Sequence, residues 1–500
     1  MRVKKLTNLH NSKNPCIINV KIIQHHHITY KQGVNMVFFN SQKLLRGESL
    51  SGEIPSDKNT LKKTLTVAWP SIVESFLVAL VGFIDTIMVS SLGDAAIAAV
   101  GLTTQPKFIG LAFFISLNVA ISAIVAHRKG EGDRKSANRV LMQALMITLG
   151  MAVIVSIACA VFADPVITLA GANADTQQDA ADYFRIIMGG MLFNVVSLCI
   201  NAAQRGCGNT KIAMRTNVVS NLVNVVFNYL LIGGNFGFPA LGVKGAAIAS
   251  VIGTVVAMAM SISSVMHTDG YLSFRKITRD EIRFDKRSLR SIVNIGSSTL
   301  AEQIFLRIGF LTFSIVVANL GTTAFAAHQV GMNIMSLSFS FGDGLSAAAI
   351  ALVGQSLGAK RVDMARIYGG FCQRLGLIFA AMLSVIFLTL GRPIFNLFSD
   401  GEQFLEYGTM IMAVLTVVVF LQISQVVFSG CLRGAGDAKF TAFVSLISVA
   451  IIRPGAGWLF CYPLGLGLFG AWIGLTFDQF CRFILTYIRF KSGRWTKYDV

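Results

Sequence analysis

Inside stretches of this 500-residue sequence that are otherwise apolar, a small number of ionisable and amide side chains recur. Such groups cost several kcal/mol in hydrocarbon and mark function by default. Asp85 stands about seven residues from one end of its apolar run, counting rise along a helix. Asn228 stands about four residues from the corresponding end of another run, with Asn224 one turn deeper and Asn221 near it. A carboxylate with amide oxygens nearby can bind a proton or a hard cation such as Na⁺. The alternative is an aspartate satisfied by Asn and Ser hydrogen bonds that only fix helix packing.

Asp85 and the asparagines fall in the outer half of their spans, whereas Glu74 and Glu302 fall in the inner half; Pro70, Glu74, Glu302, Gln303, Arg307, Asp343, Gln422 and Gln425 are the candidates to line a substrate cavity. Glu74 and Glu302 suit either a shared structural role, each accepting a hydrogen bond within its half, or contact with a substrate in a central cavity. Gln303 and Arg307 follow Glu302, and Arg307 at i+5 is a candidate partner for it. Asp343, between Gly342 and Gly344, either lines a cavity or marks a polar kink. Arg453 and Asp478 read as a buried ion pair, with Arg482 one turn from Asp478. Pro70 either opens its helix or kinks it. No H-E-x-x-H, G-x-S-x-G or Walker A pattern occurs, so an enzyme and an ATP-driven pump are both disfavoured. The eight cysteines are scattered without a C-x-x-C and read as small buried hydrophobes, and no metal site is expected.

The elements that must hold these residues are apolar and long. The chain is 54% hydrophobic and only 14% charged, too apolar to cover itself with polar surface, so it needs lipid as solvent. Runs of about 20 residues lie near 67–92, 97–126, 138–163, 181–204, 212–232, 245–266, 292–320, 323–356, 367–390, 404–430, 440–462 and 466–489. An open strand in lipid would leave backbone groups unpaired, so the fold class is an all-α membrane protein of about twelve spans. Lys and Arg crowd the loops at 127–139, 205–215 and 267–291, then Lys360, Arg361, Arg366, Arg433, Lys439 and the C-terminal tail. The alternate loops carry Asp164, Asp175 and Asp179, and Asp400, Glu402 and Glu406. Positive loops stay inside. A multi-pass inner-membrane protein with both termini cytoplasmic is expected, and the net charge of +18 then records topology, with no role in nucleic-acid binding. Residues 1–60 are polar, basic and aperiodic, and read as a disordered tail without a secretory signal, in which His25-His26-His27 has no partner ligands and Met36 could be the true start.

The chain repeats itself. At a shift of 228 residues Glu74 meets Glu302, Gly130 meets Gly358, Arg205-Gly206-Cys207-Gly208 meets Arg433-Gly434-Ala435-Gly436, and Lys211 meets Lys439. Phe313 stands opposite Asp85, so any site at Asp85 is confined to the first half. Six spans per half make the halves parallel repeats with a central cavity between them. The expected division is a tail at 1–60, a six-helix lobe at 61–266, a cytoplasmic linker at 267–291, a second lobe at 292–490 and a tail at 491–500. Rocking of the lobes would give alternating access, the design of a secondary transporter.

Over about residues 64–490 the chain resembles the MATE (multidrug and toxic compound extrusion) family. The resemblance is carried by Trp69-Pro70 with FIDTIMVSSLG at 83–93, GEGDRKSANR at 130–139, QRGCGNTK at 204–211, LGVKGAAIAS at 241–250, LGTTAFAAHQV at 320–330, ALVGQSLGAKR at 351–361, LRGAGDAK at 432–439 and RFKSGRW at 489–495. It implies two six-helix lobes and export of lipophilic, often cationic compounds driven by entry of H⁺ or Na⁺, with no other cofactor. Asp85 matches the family's coupling acid in the first helix, and Asn224 and Asn228 match the pair that joins it. Some members have Asp where this chain has Asn228, which removes one titratable group. Glu302 is about one turn off the second-lobe acid of Na⁺-coupled members, and the tenth span offers Gln422 and Gln425 but no acid. The partners implied are a small lipophilic or cationic substrate and membrane lipid, and a monomer is expected. A lipid-linked precursor flippase of the same superfamily, or another metabolite exporter, is the alternative. A flippase would show a strongly cationic central cavity, for which Arg307 and Arg453 are the visible candidates.

Overall fold

A computed structural model describes residues 38–45, 51–267, 270–276 and 285–498. Among these residues every regular element is helical. The long helices are α1 (Asp57–Ser90), α2 (Asp94–Gly130), α3 (Arg134–Val161), α4 (Gln177–Gly189 and Met191–Gly206), α5 (Thr210–Ile232) and α6 (Gly242–Met266). After them come α7 (Lys286–Ala318), α8 (Thr322–Gly358), α9 (Val362–Asn396), α10 (Glu402–Gly434), α11 (Ala438–Cys461) and α12 (Gly467–Ser492).

Ten of the described helices are long and apolar enough to cross a membrane, or eleven when bent α4 counts as one span. The twelfth expected span, α5, is helical and packed among the others but falls outside that count. Four asparagines, Asn217, Asn221, Asn224 and Asn228, recur along it and lower its apolarity. Bent α4 breaks by 45° at the Gly189-Gly190 pair, where two residues without side chains weaken the helix. Apolar side chains that face outward, such as Ile154, Val161, Val385, Leu388 and Ile488, are lipid-facing by the same logic that makes the spans helical.

Helices α1–α6 pack into one lobe and α7–α12 into the other; the lobes meet through α1 on α8 and through α2 on α7 and α8. Tight turns join α1 to α2 and α7 to α8 at Gly93 (φ 99°) and Gly321 (φ 108°), repeat-equivalent positions whose left-handed backbone favours glycine. At the face carrying the basic loops, Asp133 and Asp285 cap α3 and α7 through the N–H groups of Ser136 and Ser288. Those backbone hydrogen bonds hold both carboxyls below the usual carboxylate range.

Several boundaries differ from expectation. Pro70 does not open α1: the helix starts thirteen residues earlier, where the Ser56 side chain caps it by accepting from the Asn59 N–H. Pro70 is buried inside it, and the Thr210 hydroxyl donates to the Val67 carbonyl nearby at 2.9 Å. The expected tail at 1–60 is in part structured. Residues 1–37 and 46–50 lie outside the described residues, but Phe39, Leu45 and Ile54 are buried, and Ser41–Leu44 form a short helix against α9. Phe39 packs edge-on to Phe371, and Arg361 and Arg374 donate to the carbonyls of Glu53 and Asn40. Scattered apolar residues in a polar segment give no periodic signal, yet Phe39, Leu44, Leu45 and Ile54 join the core cluster that includes Phe371 of α9. The linker is shorter than 267–291, since α7 begins at Lys286. Of the linker's interior, 270–276 is tied to α3 by Arg134 to the carbonyls of Gly270 and Tyr271, and 277–284 lie outside the described residues. The last residues fold back, with Trp495 fully buried and stacked on Phe490 at 5.1 Å.

Candidate functional site

Asp85, Asn224 and Asn228 come together. Helix α5 lies against α1, and α6 is drawn onto α5 at Gly253, where an added Cβ would sit 2.9 Å from the Ser220 carbonyl. Asn228 Nδ2 donates to Asp85 Oδ1 at 2.7 Å. With the Asn224 amide turned to satisfy its neighbours, its Nδ2 donates to the same oxygen at 2.9 Å and its Oδ1 accepts from Ser250 Oγ at 3.1 Å and Ser250 N at 3.2 Å. Both amides are buried and Asp85 is half-buried. A charge-assisted pair of N–H bonds fixes the carboxylate while leaving acceptor capacity for a proton or a small cation. In the second lobe the equivalent position is apolar: Phe313 is buried over Gly457, whose added Cβ would lie 2.8 Å from the ring. Helix α2 adds a residue absent from the sequence-level candidates. Lys107, half-buried, is a charged neighbour of Asp85. A lone lysine within a span, here after Thr103-Thr104-Gln105-Pro106, was a readable signal.

Glu74 and Glu302 are buried in matching ion pairs. Arg205 Nη1 donates to Glu74 Oε1 at 2.7 Å, joined by Asn217 Nδ2 at 2.6 Å. Arg433 Nη2 donates to Glu302 Oε1 at 2.5 Å, joined by the hydroxyls of Thr441 and Ser445. Arg205 and Arg433, like Asn217 and Ser445, are separated by the repeat shift of 228. Arg307 is not the partner of Glu302. Five residues turn a helix by about 500°, which puts the two side chains roughly 140° apart. Arg307 instead reaches across to the first lobe and lies over the Phe108 ring at 4.4 Å. Gln303 is half-buried beside Glu302, while Gln422 and Gln425 are buried within the second lobe.

Asp343 is exposed although Gly342 and Gly344 on either side are buried. Gly344 lies against α1, where an added Cβ would meet Ile72 Cα at 2.5 Å, so Asp343 is set at the junction between lobes. Ser75 Oγ of α1 donates to Asp343 Oδ2 at 3.4 Å, and Phe76 meets Phe341 at 5.5 Å. Arg453 and Asp478 form a fully enclosed pair at 2.6 Å, with Arg482 on the same oxygen at 3.4 Å and the Phe310 ring 4.6 Å from the Arg453 guanidinium. Arg453 follows a π-helical turn, Leu446–Ile452, inside α11. Among the described residues no cluster of His, Cys, Asp and Glu could hold a metal ion.

Two repeated six-helix lobes, meeting at a junction lined by a carboxylate and aromatic rings, are the architecture of a membrane transporter. The MatE family profile matches residues 70–230 and 299–459, one stretch in each lobe, and the chain belongs to that family. It is similar to a probable multidrug resistance protein NorM of Thermotoga maritima, 26% identical over 446 residues that cover 87% of this chain and 93% of the relative. It is also similar to an uncharacterized transporter, YisQ, of Bacillus subtilis, 27% identical over 447 residues that cover 88% and 96%. The crystal structure of a MATE protein in the straight conformation superposes with a TM-score of 0.80 at 22% identity, covering 90% of this chain and 98% of that one.

Proposed function

We propose that this transporter is a secondary antiporter that exports lipophilic, often cationic compounds in exchange for H⁺ or Na⁺. The observation that carries the reading is Asp85, a half-buried carboxylate in a membrane span oriented by two amides and free of any direct ion pair among the described residues. Such a group binds a coupling ion when the lobes expose it and releases it when they do not. Asp343, with Phe76 and Phe341 close by, supplies a negative charge and aromatic walls for a lipophilic cation at the lobe junction. The relatives' description as multidrug resistance proteins supports the same substrate class. A flippase for lipid-linked precursors fits less well: of its two cationic candidates, Arg453 is enclosed with Asp478, which leaves Arg307 alone at the lobe junction. The protein acts as a monomer in the inner membrane and needs no cofactor beyond the coupling ion.

Everted vesicles test the reading. A lumen-high H⁺ or Na⁺ gradient, imposed separately, is expected to drive ethidium into the lumen, and the effective gradient names the ion. Accumulation under neither gradient overturns antiport.

The Lys and Arg bias puts the basic face and both termini in the cytoplasm. Asn173 and Glu402 are exposed at the opposite face. Single cysteines placed there in a cysteine-free background should react with an impermeant maleimide added to whole cells. Reaction only from the cytoplasmic side at both positions refutes the topology.

A further inference from the structure

At the basic face α2 and α8 cross with no side chain between them. A Cβ on Gly130 would lie 2.1 Å from the Gln355 carbonyl oxygen, and a Cβ on Gly358 would lie 2.1 Å from the His127 carbonyl oxygen. Across this crossing His127 Nε2 is 2.9 Å from the Gly434 carbonyl, and Gln355 Nε2 donates to the Gly206 carbonyl at 2.8 Å. A carbonyl only accepts, so the His127 Nε2 carries the proton. Gly206 and Gly434 are the last residues of α4 and α10, where carbonyls have no partner within their own helix. Each lobe thus caps a helix end of the other. The residues are related by one operation: His127 and Gln355, Gly130 and Gly358, Gly206 and Gly434 are all 228 apart. The described hydrogen bonds between α1–α6 and α7–α12 include two more, Thr299 Oγ1 to the Ser116 carbonyl at 3.1 Å and Ser75 to Asp343, both nearer the middle of their helices.

We propose that His127 and Gln355 form a two-fold latch that holds the cytoplasmic face of the transporter shut, and that both bonds break together when the cleft opens inward. The proposal rests on the antiport reading for its direction but not for its existence. Two equivalent bonds, one on each side of the pseudo-axis, give a two-state closure, because the lobes cannot rock apart at this face without straining both. The glycine pair sets the closed distance, and the two side chains add the directional contacts that select it. His127 and Gln355 are positioning residues: they touch neither ion nor substrate, and they act by biasing which face is open.

The test uses the full chain in a cysteine-free background with Ser75→Cys as reporter at the lobe junction. Inside-out vesicles are treated with an impermeant maleimide, and the labelling rate reads how often the cytoplasmic face opens. His127→Ala or Gln355→Ala is expected to raise the rate about fivefold, and the double variant about twenty-fold, from the loss of one or two neutral hydrogen bonds. His127→Gln keeps an N–H donor and copies the second lobe, so it should restore a near-wild-type rate. A purely structural role would lower membrane-inserted protein without this rescue, so insertion is scored in parallel. An unchanged rate in the inserted double variant, or His127→Gln behaving like His127→Ala, overturns the latch. If vesicles of the chain that keeps Ser75 fail to move ethidium under either gradient but labelling of the reporter follows the pattern above, antiport fails and the latch stands.

Discussion

Asp85→Asn is expected to reduce gradient-driven ethidium efflux to the level of vesicles without the protein, while insertion stays intact. The change keeps the shape that Asn228 and Asn224 grip but removes the carboxylate they hold. Ion and substrate must bias the two faces differently, since a ligand with equal affinity for both states shifts nothing. Without a carboxylate, the ion loses that differential hold. Asn228→Ala should weaken efflux about tenfold, as expected for losing one hydrogen bond to a charged group. Glu302→Gln serves as the control for the other lobe. If it abolishes ion-driven transport while Asp85→Asn is harmless, coupling lives in the second lobe and the assignment fails.

Asp478→Asn should destabilise the protein by about 3–5 kcal/mol, because it strands buried guanidinium groups without a counter-charge. Arg453 and Asp478 have no exposed surface, and Arg482 shares the same carboxylate oxygen. Arg453→Met should cost less, since Asp478 keeps Arg482. Thermal melting of the detergent-solubilised protein, followed by its monodisperse fraction, reads both variants. Equal melting temperatures for Asp478→Asn and the unchanged chain would show that the pair is not the anchor of α11 on α12. The Glu74–Arg205 and Glu302–Arg433 pairs are less enclosed on the arginine side, so their loss should be milder.

What the sequence determined by itself were properties carried by neighbours along the chain. Apolar runs read as helices, because hydrocarbon forbids unpaired backbone. The 228-residue repeat was legible from matched Glu, Arg and Lys in apolar surroundings, and it holds in the structure as two six-helix lobes with equivalent Glu–Arg pairs. Asp85, Asn224 and Asn228 were readable as one group because depth along a helix is a simple count of residues. Partner choice was not readable. Arg307 stands close to Glu302 in sequence but faces away from it, and Arg433, 131 positions on, is the one that arrives. Residues 38–45 and 51–56 look like featureless tail until α9 is there to receive Phe39 and Leu45. Lys107 acquires meaning only beside Asp85, and His127 and Gln355 only where two glycines let α2 and α8 touch. Such contacts depend on how helices cross in three dimensions, and helix crossing is set by side chains far apart in sequence.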